Sequence, residues 1–458
     1  MDRTTIALQG TLAGFLADMA KAQASGDTAA SPAVARPASL LGRLSPLPYG
    51  WDMLDDFSID TFAKQIVGPV LTHAQAHDRK GRPLGDGINF ASQDYLSLAC
   101  HPQIQTAAVE AIARYGVHSA GSPALMGNTT LSVALEQRLA SFLGMRSCAL
   151  FPTGWGAGYG AIRTLVRPGD HVVIDHLAHA SLWEGARGAT KHVHSFAHLS
   201  VTELEAHLVR IRQEDPSAGI LVVTESLFSM DADSPDLQAH QELAHRHQAT
   251  LMVDVAHDLG SMGPHGLGAL ETQGMLGKVD VVMGSFSKTF AANGGFVACN
   301  EPGLKLAIRF GCGPHTFTNA MSPVQAAVVL KALEIVQSPE GQVRRQNLLN
   351  NALHLRQLLQ GTGHAVLGLP SAVVPLVVGG IGRSRLLTRF MLAGGMLVNL
   401  VEHPAVPRDA SRLRLQIMAD HTIEQIDQFA AVLAEASRLA TEELARINLT
   451  RPETEQLR

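Results

Sequence analysis

The chain is short of charged and aromatic side chains. Asp, Glu, Lys and Arg make up 17% of it and aromatics 5%, against 46% apolar residues. That balance excludes a largely disordered chain and predicts folded cores over most of the length. A basic excess is also missing: the net charge is −5, which gives no electrostatic footing for nucleic acid. The few cysteines, Cys100, Cys148, Cys299 and Cys312, are far apart and form no CxxC pair. A disulfide framework is thereby excluded, and buried free thiols in a reducing cytoplasm are expected. No apolar run approaches the roughly 18 residues of a membrane span. The start of the chain lacks the basic start and small-residue cleavage site expected of a secretory signal.

At 458 residues the chain is long enough for two or three domains. Leu8, Leu12, Phe15, Leu16 and Met19 recur at helical spacing, so residues 5–20 read as an amphipathic helix, packed on the protein itself or docked on a membrane surface or partner. Residues 21–48, rich in Ala, Ser, Pro and Gly, read as a linker. Beyond residue 89, short apolar runs recur at Cys148–Phe151, His171–Ile174, Ile220–Val223, Leu251–Val253, Val279–Met283 and Phe296–Cys299. Stretches of helical spacing, such as Val201–Ile211 and Leu237–His247, separate several of them. This alternation predicts an α/β fold whose mainly parallel sheet is covered on both faces. A long helix over 323–336 leads to a second unit, with a strand at Val373–Val378 and a helix at Ile423–Leu439.

In such sheets ligands bind beyond the carboxyl ends of the strands. Several chemistry-bearing residues fall there. Lys288 follows the run ending at Met283, in the turn Ser285-Phe286-Ser287-Lys288-Thr289. Asp254 ends another run and is followed by His257. Glu225 ends a third. A lysine, an aspartate and a histidine at successive strand ends suit pyridoxal 5′-phosphate (PLP): the lysine forms a Schiff base, the carboxylate keeps the pyridine nitrogen protonated, and hydroxyls take the phosphate. Phe151-Pro152-Thr153-Gly154-Trp155-Gly156 places a glycine-rich turn at a helix start, where free N–H groups hold phosphate. An imidazole at His179 could stack on a flat ring. Arg414, in Ser411-Arg412-Leu413-Arg414 ahead of a strand-like Leu415–Met418, offers a fork for a substrate carboxylate.

Eight stretches carry a family resemblance: NFASQDYLSL (89–98), FPTGWGAGYG (151–160), DHLAHASL (175–182), TESLFSMDAD (224–233), VDVAHDLGSMGPHGLG (253–268), GSFSKTF (284–290), FTNAMSP (317–323) and SRLRLQIMADHT (411–422). In that order they resemble the α-oxoamine synthase family of PLP enzymes of fold type I. The resemblance implies a mainly parallel seven-stranded sheet flanked by helices, plus a smaller α+β C-terminal domain. Its divisions would be 1–48 helix and linker, 49–88 N-terminal segment, 89–325 PLP-binding domain, 326–440 small domain and 441–458 charged tail. It also implies roles. Lys288 would hold the cofactor and act as acid and base, Asp254 would pair with the ring nitrogen, His257 would bond the phenolic oxygen and His179 would stack on the ring. Gly154, Trp155 and Ser285 would bind the phosphate, and Ser229 would line the pocket. Thr318 would reach the phosphate of a neighbouring subunit in a homodimer. Arg414, with Gln93, would meet the amino acid.

The implied reaction is a decarboxylative Claisen condensation of an amino acid with an acyl thioester, on coenzyme A or an acyl-carrier protein, giving an α-amino ketone. The alternatives are an aminotransferase or aldol-type lyase of the same fold, or a non-catalytic partner subunit, against which Lys288 argues. Glycine, alanine and serine all remain open as the amino acid. Gln93, His118, Pro123 and Asp258 depart from the family pattern and are expected near the substrate cavity or its entrance. The histidine clusters His192, His194, His198 and His240, His245, His247 invite a metal, but no carboxylate or cysteine pattern in the sequence completes a site, so none is expected.

Overall fold

The computed structural model of the chain describes residues 39–41, 52, 54–56 and 58–449. The helix expected over 5–20 and nearly all of the linker lie outside them. An antiparallel meander of β1 (Gln65–Val67), β2 (His73–His77) and β3 (Pro83–Asn89) comes first. The main sheet follows, made of β4 (Ser147–Phe151), β5 (His171–Asp175), β6 (Val193–Phe196), β7 (Ile220–Glu225), β8 (Thr250–Asp254), β9 (Val281–Ser285) and β10 (Gly295–Cys299). Its order is β4-β10-β9-β8-β7-β5-β6; β10 runs antiparallel to both neighbours and every other pairing is parallel. Four later strands, β11 (Val373–Gly379), β12 (Met396–Leu397), β13 (Leu400–Val401) and β14 (Ser411–Gln416), complete the set. Strand β12 extends the meander beside β3, and the other three form an antiparallel sheet in the order β11-β14-β13.

The main-sheet strands are almost continuously apolar because both faces are covered. Val173, Val222, Val253 and Val282 enter one core, and their neighbours Val172, Leu221, Met252 and Val281 enter the other. That is strand alternation with period two and two apolar destinations. Each fully buried valine or leucine contributes ~1.5–3 kcal/mol. Six of the seven strands coincide with the apolar runs of the sequence. Strand β6 was not expected. Its Val-His-Ser-Phe sequence sits at the sheet edge, where only Phe196 is buried, so it carries too little apolar pattern to be seen.

Two further boundaries differ from expectation. The strand containing Arg414 begins at Ser411, so Arg412 and Arg414 lie within β14 instead of ahead of a strand. Both are buried against carbonyl and carboxylate partners, which lets charged side chains occupy a strand. The final helix runs Ile423–Leu449, ten residues past the expected Leu439, because Ala440 and Ile447 still bury apolar surface under a charged outer face. No helix among the described residues is long and apolar enough to cross a membrane.

Candidate active site

The carboxyl ends of β5, β7, β8 and β9 and the start of the helix Gly154–Leu165 enclose a cavity of about 250 Å³. Gly154, Trp155, His179, Asp254, His257, Ser285 and Lys288 all line it, as do Thr153, Ser181, Glu225, Ser287 and Asn293. Seven of the eleven candidate residues from the sequence therefore meet at one place.

Each is held by local structure. Thr153 caps the helix, its Oγ1 accepting from Gly156 N at 2.9 Å. The N–H groups of Gly154 and Trp155, in the first turn, are left for an anion at the positive end of the helix. Glycine is required at 154: a Cβ there would lie 2.5 Å from the Ser285 side chain. Ser285 Oγ meets Ser287 Oγ at 2.8 Å, which puts two hydroxyls beside those N–H groups. The loop carrying Lys288 is closed by Phe286 N donating to Gly294 O at 3.0 Å, with Gly294 at φ 124°, a conformation that favours glycine.

Protonation follows from burial and hydrogen bonding. Burial pushes Lys288 below the ordinary lysine range, although Asp254 opposes the shift. Burial raises Asp254, and Lys288 and His179 pull it back. Burial also holds His257 well below the usual imidazole range, so its ring is neutral. Tyr95, pushed up to about 12 by burial, keeps its proton and faces His257 Nδ1 at 2.8 Å. The phenol therefore donates to Nδ1, and the ring proton sits on Nε2. On the other side His179 Nδ1 faces Ser181 Oγ at 2.8 Å, and its ring meets the indole of Trp155 edge-on at 5.8 Å.

These groups fit PLP. The cavity offers an amine, a carboxylate at the end of β8, a neutral imidazole donor, a ring able to stack, and an anion cradle that a Cβ at residue 154 would fill. Arg414 adds a second fit. Its Nε donates to Ser229 O at 2.6 Å, while its Nη2 is buried without a partner. A buried guanidinium with a free N–H group suits a carboxylate.

The other candidates stand apart. Ser229 and Arg414 do not line the cavity itself, although Arg414 bears electrostatically on Lys288, His257 and His179. Gln93 is half-buried in the loop after β3 and does not reach the wall. Thr318 is half-buried on the outside, beside Phe317, which is 87% exposed. Asp258 follows the lining residue His257 but does not line the cavity itself: it is buried and accepts from Ser226 Oγ and Ala269 N at 2.7 Å each, tying the segment after β7 to the helix Gly268–Thr272. His118 is exposed and Pro123 buried, and neither lines the cavity. Sequence reasoning missed Tyr95. It lies in a stretch quoted for the resemblance, but nothing local says that it reaches a histidine 162 residues away.

The histidine clusters have other partners. His198 bridges Asp175 at 2.9 Å and Asp233 at 3.1 Å, while His194 Nε2 meets His171 Nδ1 at 2.9 Å. Among the described residues no group of three or more metal-binding side chains converges.

A family model for aminotransferases of class I and II matches residues 85–433. A serine palmitoyltransferase of Sphingobacterium spiritivorum is 34% identical over 342 residues, covering 74% of this chain and 84% of that protein. An 8-amino-7-oxononanoate synthase of Trichlorobacter lovleyi is 35% identical over 353 residues, covering 76% and 88%. Among solved structures, a serine palmitoyltransferase from S. paucimobilis with a bound PLP–myriocin aldimine is similar at a TM-score of 0.81 and 30% identity, over 88% of this chain and 100% of that one.

Proposed function

The chain belongs to the class I and II aminotransferase family and, within it, to the PLP-dependent α-oxoamine synthases, and from that premise we propose that it condenses an amino acid with an acyl thioester. The products would be an α-amino ketone, carbon dioxide and the free thiol of coenzyme A or a carrier protein. The observation that carries this reading is the meeting of Lys288, Asp254, His257 and His179 in one cavity, with the unpartnered Arg414 Nη2 close by.

PLP, when bound, supplies an electron sink for the α-carbon of the amino acid. The chain's own residues do the rest. Lys288 Nζ holds the cofactor and later carries the α-proton; its burial and the positive charge of Arg414 favour the neutral amine this needs. Asp254 would pair with the ring nitrogen and keep it protonated. His257 Nε2–H would donate to the phenolic oxygen, since Tyr95 fixes the tautomer. Gly154 N, Trp155 N and Ser285 Oγ would hold the phosphate, and His179 would cover the ring. Arg414 binds the substrate carboxylate and so sets which bonds of the α-carbon face Lys288. Ser229 fixes Arg414 through its carbonyl, and Gln93 is assigned to the amino-acid approach.

We place the enzyme in the cytoplasm as a homodimer. Leu125, Met126 and Phe317 are 83%, 90% and 87% exposed. Their segments are tied together by Ala320 N donating to Gly121 O at 2.8 Å and Ser122 Oγ donating to Thr316 O at 2.6 Å. That apolar surface adjoins Thr318 and suits a second copy, whose phosphate Thr318 would then reach.

Uptake of PLP tests the reading. Cofactor-free protein mixed with PLP should turn yellow, and borohydride should fix the cofactor on the peptide containing Lys288. Protein that stays colourless in excess PLP would refute it.

A further inference from the structure

Glu225 is a buried, cavity-lining carboxyl group to which the mechanism above gives no task. It ends β7, and the parallel register sets it directly beside Asp254 on β8. Its Oε1 accepts from the backbone N–H of His179 at 2.6 Å. That contact joins the β7 end to the loop between β5 and the helix Ala180–Ala189, and it falls on the residue whose ring would cover the cofactor. Asp175 fixes the start of the same loop, accepting from Leu177 N at 2.9 Å. The loop is thus pinned at residue 177 by one carboxyl group and at residue 179 by another.

We propose that Glu225 is a positioning residue of the cofactor site, setting the height and tilt of the His179 ring by holding its backbone N–H. The inference rests on the PLP reading above for the purpose of that ring, but the hydrogen bond itself exists without the cofactor. Asp254, Asp175, His179 and Lys288 face Glu225, and Arg414 acts on it from β14. Burial, then the neighbouring Asp254, raises the Glu225 carboxyl well above the ordinary range. A single carboxyl oxygen makes this contact, accepting from His179 N. Glutamine supplies the same acceptor and no titrating proton, whereas leucine supplies neither.

Glu225→Gln and Glu225→Leu separate the possibilities. In cofactor-free protein, amide exchange over residues 177–181 should be unchanged in Glu225→Gln and at least about tenfold faster in Glu225→Leu, the usual effect of one lost hydrogen bond to a buried donor. After loading, Glu225→Leu should bind PLP about tenfold more weakly and lose circular dichroism in the cofactor band, with Glu225→Gln close to wild type. Should Glu225→Leu fail to fold, Glu225→Ala removes the same acceptor and is read in the same way. Unchanged exchange and cofactor dichroism in Glu225→Leu would overturn the proposal. So would a Glu225→Gln variant as impaired as the leucine one. Failure of wild type to take up PLP would overturn the functional reading while leaving the exchange result to judge the role of Glu225.

Discussion

At the scale of single residues, the site works by leaving a few buried polar groups incomplete. Arg414 spends its Nε on Ser229 O and keeps Nη2 unpaired. A guanidinium in that state favours whatever carboxylate can reach it, since an orphaned buried donor is costly. Arg414→Ala should therefore raise KM for the amino acid about 10–100-fold while PLP binding stays near wild type, as read by amino-acid titration of the cofactor absorbance. A variant with unaltered amino-acid affinity would assign the carboxylate to another group. Asp254 raises a separate question, because burial alone favours its protonated form. A protonated ring nitrogen facing it would supply the missing counter-charge and restore the carboxylate. Asp254→Asn should keep the fold, judged by its melting curve, and lose roughly a hundredfold or more in turnover. Near-normal turnover would reduce Asp254 to a cap for Ala256 N, which it contacts at 2.9 Å. Asp254 was legible in the sequence because ligands gather at the carboxyl ends of strands, and Arg414 because a guanidinium fork suits a carboxylate. Asp258 was legible only as a departure from the family pattern; that its side chain turns to Ser226 and Ala269 is a choice made by loop geometry that spacing does not encode.

At the scale of elements, edge strand β6 is the part that the sequence concealed, and its chemistry differs from that of the central strands. His194 bonds to His171, and Arg210 Nη2 donates to His207 Nδ1 at 2.9 Å. His192 stacks on His171, with ring centroids 4.8 Å apart. An arginine and several imidazoles packed together tolerate little further positive charge. Burial and these neighbours push His194 down to about 4, from an ordinary 6.5. A depressed histidine stabilises the fold fully above its unfolded value. The contribution fades as pH falls from 6.5 towards 4 and is constant below that. His198 has the opposite sign. Asp175 and Asp233 overcome its desolvation and raise it to about 10, so its contribution is complete below 6.5 and is lost as pH rises towards 10. Melting temperature should therefore fall on the acid side between pH 6.5 and 4, and His194→Gln should fall less steeply over that window. Parallel slopes for wild type and variant would exclude the histidine row as the cause. The central strands needed no such help to be seen, because burial on both faces makes an unbroken apolar run.

At the scale of the whole molecule, the ends of the main-sheet strands and the helix starts beside them carry the groups proposed to hold the cofactor, and β14 carries the arginine proposed to hold the substrate carboxylate. Arg412, bonded to Asp231 Oδ1 at 2.6 Å, and Arg414 together fasten β14 to the loop after β7. The sequence could mark both partners but not their contact, which joins residues 181 and 185 positions apart. Thr318 was legible only as a family position; it is half-buried outside the cavity, and its proposed task depends on the proposed dimer. Leu125→Glu with Phe317→Glu should convert the dimer to monomer in sedimentation and weaken PLP binding in parallel. A fully active monomer would remove Thr318 from the site. The account as a whole turns on the fate of the thioester. The PLP-loaded protein should be given glycine, alanine or serine with a panel of acyl-coenzyme A and acyl-carrier thioesters, and released carbon dioxide and free thiol measured together. The account predicts that an accepted pair releases both in equal amounts, and that Lys288→Ala releases neither. Formation of a keto acid or an aldehyde from the amino acid with the thioester left intact would contradict it.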